Sequence, residues 1–270
     1  MLEKIRATAS YISERTGIKA ETGIILGTGL GGLAKEIEIK HEVPYHEIPN
    51  FPLSTVDGHA GRLIIGRLGD REVLAMQGRF HFYEGYGMKE VTFPVRVMRE
   101  LGISVLFVSN ASGGLNPEYK VGDIMIIRDH INFFPEHPLR GKNLDELGPR
   151  FPDMSQVYDP VLREKARQIA QKNHIPVKEG VYVGVSGPTF ETPAEYLMFR
   201  HLGGDAVGMS TVPEVIVAHH SGMKVFGISI ITDSGVPGQI VEISHEEVQM
   251  VARNAEPFMT LILKELIGTL

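Results

Sequence analysis

Residues 160–231 read PVLREKARQIAQKNHIPVKEGVYVGVSGPTFETPAEYLMFRHLGGDAVGMSTVPEVIVAHHSGMKVFGISII. Helical and strand-like apolar runs alternate along them. Helices are expected at 160–172, 193–202 and 212–220, and strands at 179–186, 205–207 and 224–231. Three helix starts carry a hydroxyl followed three residues later by glutamate: Thr192 with Glu195, Thr211 with Glu214, and Ser244 with Glu247 ahead of a final helix at 245–266. Each pair satisfies two orphan helix amides reciprocally. That capping accounts for the three glutamates, and none of them is assigned to catalysis. This alternation predicts an α/β protein.

Working back toward the start, Leu2, Ile5, Ala9 and Ile12 mark one face of an opening helix that Gly17 ends. A short apolar strand at 24–26 runs into GTGLGG at 27–32, and strands at 62–66 and 72–76 flank a turn at 68–71. A helix at 90–102 and strands at 105–109 and 123–127 follow. The stretch 130–159, rich in proline and charge and without a sustained period, reads as a long excursion, and loops of that length are often functional. Neither a linker nor a repeat divides the 270 residues, so one domain over 1–270 is expected.

Composition narrows the function classes. The chain is 43% hydrophobic with a net charge of -6, which disfavours a nucleic-acid partner, since duplex binding needs a basic face. There is no cysteine, so disulfides, thiolate catalysis and cysteine zinc sites are all excluded. No eighteen-residue apolar run and no signal-like segment occurs, so neither a membrane nor export is expected and a cytoplasmic location is.

Gly27, Gly29 and Gly32 fit the dinucleotide pattern G-x-G-x-x-G after a strand, but the segment that follows lacks the second strand with its closing acid. The same glycines also suit tight packing, or an anion cradle of backbone amides with the Thr28 hydroxyl. The anion reading needs partners, and the sequence offers them. His59 lies in VDGHAGRL, and MQGRFHFYEGY places Arg79, His81 and Tyr83 at alternating positions that share one face if the segment is extended. A guanidinium, an imidazole and a phenol on one face suit an oxyanion flanked by hydroxyls. Asn110, Ala111 and Ser112 stand at a strand end, and Phe190, Glu191, Met209, Ser210 and Asp233 come later. None of these has metal-ligand spacing, and the adjacent His219 and His220 diverge on a helix rather than chelate.

Taken in order, GTGLGG, DGHAG, MQGRFHFYEGY, NASGG, RFPDMS, GPTFETPAE, VGMSTVPEV and SHEEV span about 27–248 and resemble the one-domain, trimer-forming purine nucleoside phosphorylases. The resemblance implies a single α/β domain whose central mixed sheet bends into a distorted barrel surrounded by helices. It implies reversible cleavage of purine ribo- and deoxyribonucleosides by inorganic phosphate, giving the base and (deoxy)ribose 1-phosphate. Phosphate is a substrate there, and neither a cofactor nor a metal is expected. Thr28, His59, Arg79, Ser210 and the Ala111 amide would bind phosphate. His81, Glu191 and Asp233 would form the catalytic set. Tyr83, Met209 and His245 would meet the sugar, and Asn110, Phe190, Glu191 and Asp233 the base. Phe151 would reach a neighbouring subunit's sugar pocket in a homotrimer.

Asp233 departs from the pattern, because 6-oxopurine-selective members place asparagine there. An ionised aspartate only accepts hydrogen bonds, which points toward the 6-amino group of adenosine. A 5′-methylthioadenosine phosphorylase is the alternative enzyme, although His245 argues for a 5′-hydroxyl. A nucleoside hydrolase lacks its acidic calcium cluster here. A non-catalytic nucleoside-binding protein would leave the phosphate set unexplained.

Overall fold

Strand β1 (Thr22–Leu26) is the run TGIIL, buried along its whole length, as a strand covered on both faces must be. The computed structural model describes residues 1–28, 31–56 and 60–270. Within them β1 is followed by β2 (Glu38–Pro44), β3 (Arg62–Leu68), β4 (Arg71–Gln77), β5 (Val105–Gly114), β6 (Ile124–Asn132), β7 (Val177–Gly184), β8 (Ala206–Gly208) and β9 (Lys224–Ser234). The strands form one mixed sheet in the order β2-β3-β4-β1-β5-β8-β7-β6-β9, and β5 also pairs with β9. That extra pairing closes β5, β8, β7, β6 and β9 into a five-stranded barrel, and β1 to β4 extend from it as a wing. The barrel-like α/β architecture implied by the resemblance is the one observed.

Helices cover both faces. α1 (Leu2–Thr16), α4 (Phe93–Glu100) and α7 (Val212–His220) pack one apolar core, through residues such as Ile5, Ile12, Val97 and Val215. α2 (Gly32–Lys35), α5 (Pro160–Lys172) and α8 (His245–Gly268) pack the other, through Leu33, Leu162, Ala166, Leu263 and Leu266. α3 (Met88–Val91) leads into α4, and α6 (Pro193–His201) lies over a third, smaller cluster with Leu115, Val183 and Val207. The single helix expected at 90–102 is in fact α3 and α4, divided at Thr92. The Thr92 hydroxyl donates to the Met88 carbonyl at 2.7 Å, and Pro94, which has no amide to continue a helix, sits in the first turn of α4.

Two features of the sheet make the site. β1 pairs with β5 along 105–108, and β8 pairs on the same side only at Gly113 and Gly114. The edge of β5 in between is left open for side chains. On the opposite side, β9 runs parallel to β5 until the register shifts: Ser112 faces Ile231, but Gly113 faces Asp233. Thr232 is the extra residue of this bulge, which re-aims the strand end as bulges beside active sites do. Thr232 and Asp233 both line the same cleft as a result. Gly113 leaves room opposite them, since a Cβ there would lie 2.9 Å from Asp233 Oδ2 and push that carboxylate aside.

Candidate active site

A cleft opens at these strand ends, where ligands bind in open α/β sheets. Its lining brings together Thr28, Arg79, His81, Tyr83, Asn110, Ala111, Phe190, Glu191, Met209, Ser210, Asp233 and His245. Of the site residues expected from sequence, His59 lies outside the described residues, and Phe151 stands away from this lining.

Arg79 follows the end of β4 and enters the open edge of β5. Its guanidinium is 1% exposed, and Nη1 donates to the Ser109 carbonyl at 2.9 Å and to Ser210 Oγ at 3.0 Å. Two residues on from Ser109, Ala111 faces the same edge by strand alternation, so its amide is directed alongside the arginine. Gly27 permits this crowding, because a Cβ there would lie 2.7 Å from the Ser109 carbonyl oxygen.

Ser210 is held by a strained turn. Thr211 has φ +71° and ψ −55°, and the Val212 amide donates to the Ser210 carbonyl at 2.7 Å. This is the uncommon γ-turn, which costs backbone energy and needs external support. Asn110 Nδ2 donates to Thr211 Oγ1 at 2.8 Å, and the Thr211 amide donates to Glu214 Oε2 at 2.9 Å. Asn110 is itself oriented by the Ser229 hydroxyl, which donates to its Oδ1 at 2.5 Å.

Glu214 does more than cap α7. Its Oε1 accepts from Arg79 Nε at 3.0 Å, and both side chains are almost fully buried. The capping explanation was therefore incomplete. The sequence signal was a carboxylate inside the apolar run VPEVIVA, which can be buried only with a cation. Removing one member of such a pair costs about 3–5 kcal/mol. Glu214→Ala should accordingly lower the unfolding free energy read from urea denaturation by that much, whereas losing a mere helix cap costs about 1 kcal/mol.

Arg79, His81 and Tyr83 do reach one cleft, but not on an extended strand. His81 caps a 3₁₀ turn at Phe82–Glu84, and the His81 and Tyr83 rings stack with centroids 4.7 Å apart. His81 Nδ1 lies 3.0 Å from Glu84 Oε1. Burial lowers the His81 pKa, against the raising influence of Glu84. Burial would raise Glu84, but hydrogen bonds from His81 and Thr55 hold it at about 2. A neutral imidazole beside an ionised carboxylate carries its proton on Nδ1, so Nε2 is an acceptor.

At the other end, Asp233 is 9% exposed and accepts from Thr232 Oγ1 at 3.0 Å and from the Tyr196 hydroxyl at 3.3 Å. Burial raises its pKa, and those two hydroxyls work against the rise. Burial, with a contribution from Asp233, pushes Glu191 up to about 7. Phe190 remains 42% exposed on the cleft, and His245, the first residue of α8, stands exposed at its mouth with Gln249 Nε2 2.9 Å away.

The excursion is clamped rather than loose. His220 Nε2 lies 3.0 Å from the Pro149 carbonyl oxygen, and His219 Nε2 lies 2.8 Å from that of Asp153. The two histidines diverge as expected and fix the backbone on both sides of Phe151, which is 86% exposed.

Residues 21–268 match the Phosphorylase superfamily. The chain is 50% identical to purine nucleoside phosphorylase 1 of Bacillus subtilis over 268 residues, covering 99% of each. It is 48% identical to the bovine purine nucleoside phosphorylase, covering 97% of this chain and 94% of that one. A Schistosoma mansoni purine nucleoside phosphorylase crystallised with adenosine superimposes with a TM-score of 0.94 at 43% identity, covering 100% of this chain and 98% of that one. Isoform 2 from the same organism, with cytosine and ribose 1-phosphate, gives 0.94 at 46% identity over 99% and 96% of the two chains. With likeness of this extent in sequence and in backbone, the chain belongs to the purine nucleoside phosphorylases of the Phosphorylase superfamily.

Proposed function

We infer that this cleft carries out the reversible phosphorolysis of purine ribo- and deoxyribonucleosides, with 1–270 working as one domain. The observation that carries the reading is the buried Arg79, aimed with Ser210 and the Ala111 edge into a cleft whose far end holds two carboxyls. Phosphate would lie on Arg79, Ser210, Thr28 and the Ala111 amide, with His59 as a further ligand. An anion there faces the sugar, and the base lies beyond it.

The chemistry follows from the two ends. As the glycosidic bond stretches, positive charge grows on the sugar and negative charge on the purine. Phosphate held on the opposite face stabilises the first, and a hydrogen-bond donor to the base stabilises the second. The Nε2 lone pair of His81 accepts a hydrogen from phosphate or a ribose hydroxyl. Tyr83, Met209 and His245 enclose the sugar, and Phe190 covers the purine. Asn110 acts through Thr211, shaping the turn that presents Ser210.

At the base end, a Glu191 carboxyl with its pKa near 7 donates to ring nitrogen one of adenosine when protonated and accepts the ring hydrogen of inosine when ionised. Asp233 as a carboxylate accepts from a 6-amino group. Adenosine is therefore a substrate in this reading, alongside 6-oxopurine nucleosides. Base release from inosine, guanosine, adenosine and 5′-methylthioadenosine, each with and without phosphate, tests it. Cleavage requiring phosphate supports the reading, and a methylthioadenosine efficiency far above the others would favour the alternative enzyme.

The clamped and exposed Phe151 supports a homotrimer in which this ring completes a neighbour's sugar pocket. Such an aromatic fits a docking role better than solvent. Phe151→Ala should raise KM for nucleoside severalfold with little change in thermal stability. Sedimentation should give three copies, and an active monomer at working concentration would remove the shared site. A cytoplasmic setting, where nucleosides and inorganic phosphate meet, completes the reading. Among the described residues no helix is long and apolar enough to cross a membrane.

A further inference from the structure

Tyr196 was read from sequence only as part of a helix, yet it is 4% exposed and its hydroxyl reaches the base end of the cleft. The ring is fixed between α6 and the start of the segment after β9, where a Cβ on Gly235 would lie 2.4 Å from Tyr196 Cδ1. The two carboxyls it faces are not equivalent. Asp233 receives two hydroxyl donors, from Tyr196 on Oδ2 and from Thr232 on Oδ1. Glu191 Oε1 is buried without a hydrogen-bond partner among the described residues. The Tyr196 hydroxyl also reaches Glu191 and acts to lower its pKa, but it has one hydrogen to give, and the hydrogen bond of good geometry, at 3.3 Å, is the one to Asp233 Oδ2. Donors stabilise the ionised form of a carboxyl, and burial without them stabilises the neutral form.

We propose that Tyr196 is a specificity-determining positioning residue: its hydroxyl keeps Asp233 ionised, leaving the proton of the pair on Glu191, so the base site presents one acceptor and one donor as a 6-aminopurine requires. The inference rests on the reading that the purine lies between Glu191 and Asp233. The elevated pKa of Glu191 agrees with it: burial raises it most, Asp233 and Glu195 raise it further, and its own backbone amide and Tyr196 lower it without cancelling the rise. Without the phenol, Asp233 competes for the proton, becomes a donor and suits a 6-oxo group better.

The test is a double-mutant cycle on the ratio of adenosine to inosine kcat/KM, using Tyr196→Phe, Asp233→Asn and the double variant. Tyr196→Phe should lower the ratio roughly 10-fold, the scale of one hydrogen bond to a charged group. In the Asp233→Asn background the same change should leave the ratio unmoved, because asparagine has no ionised state to support. A purely structural role would instead lower both substrates alike in both backgrounds, which would overturn the proposal. If Asp233→Asn itself leaves the ratio unchanged, the placement of the base fails. If that variant shifts the ratio and Tyr196→Phe does not, only the role of Tyr196 fails. Carbon-13 carboxyl titration of the unmutated protein gives a reading that does not depend on the variants folding. Asp233 should ionise at lower pH than Glu191, and the reverse order would refute the proposal.

Discussion

Arg79→Ala is expected to lower phosphate-dependent cleavage by roughly 10²-fold or more, as for the loss of a charged group that stabilises the transition state. The arginine is placed by three elements at once: the Ser109 carbonyl of β5, Ser210 in the γ-turn, and Glu214 at the start of α7. Such a preorganised charge does not have to be reoriented as the reaction proceeds, and burial keeps it poorly screened. Arg79→Lys should recover little, because a point charge cannot span Ser109, Ser210 and Glu214 together. Raising phosphate should rescue KM in part, while kcat remains low. Steady-state kinetics in phosphate and nucleoside separates those effects. Activity within a few-fold of the parent would remove Arg79 from the phosphate site.

Asp233→Asn should shift relative kcat/KM toward inosine and guanosine and away from adenosine by about 10- to 100-fold, the worth of one or two hydrogen bonds of ~1.4 kcal/mol. Asparagine supplies an N–H that a 6-oxo group or ring nitrogen seven can accept, and it gives up the full negative charge that attracts a 6-amino group. The unmutated protein should also show a pH signature. Below about 7 Glu191 holds its proton and serves the lone pair of ring nitrogen one in adenosine. Above that value the ionised carboxylate repels this lone pair and accepts the ring hydrogen of inosine. The ratio of adenosine to inosine efficiency should therefore fall as pH rises through neutrality. Taking the ratio cancels the ionisation of phosphate and His81, which both reactions share. A ratio that rises with pH would contradict this assignment of the proton.

What was legible in the sequence was whatever the chain encodes locally. α5 begins at Pro160 because Asp159 accepts from the Val161 and Leu162 amides, each at 2.9 Å, and α7 occupies 212–220 as its apolar run requires. The outer half of β5 was hidden, since the apolar run that marks a strand stops at 105–109 and Asn110, Ala111 and Ser112 read only as its end. It is a strand because β9 pairs with it along its length and β8 joins at Gly113 and Gly114, partners far away in sequence. Arg79, His81 and Tyr83 were found through their chemistry even though their backbone is a 3₁₀ turn rather than a strand. Glu214 was set aside because its cap explained it, while its second oxygen meets an arginine 135 positions away. Tyr196 gave no signal of its own, because its partner Asp233 lies 37 positions on and on another element.

In this reaction phosphate, not water, displaces the purine. Phosphorus-31 NMR of the protein with inosine and inorganic phosphate should show ribose 1-phosphate appearing in step with hypoxanthine, and neither product should form when phosphate is left out. Free ribose released at the same rate without phosphate would contradict the account.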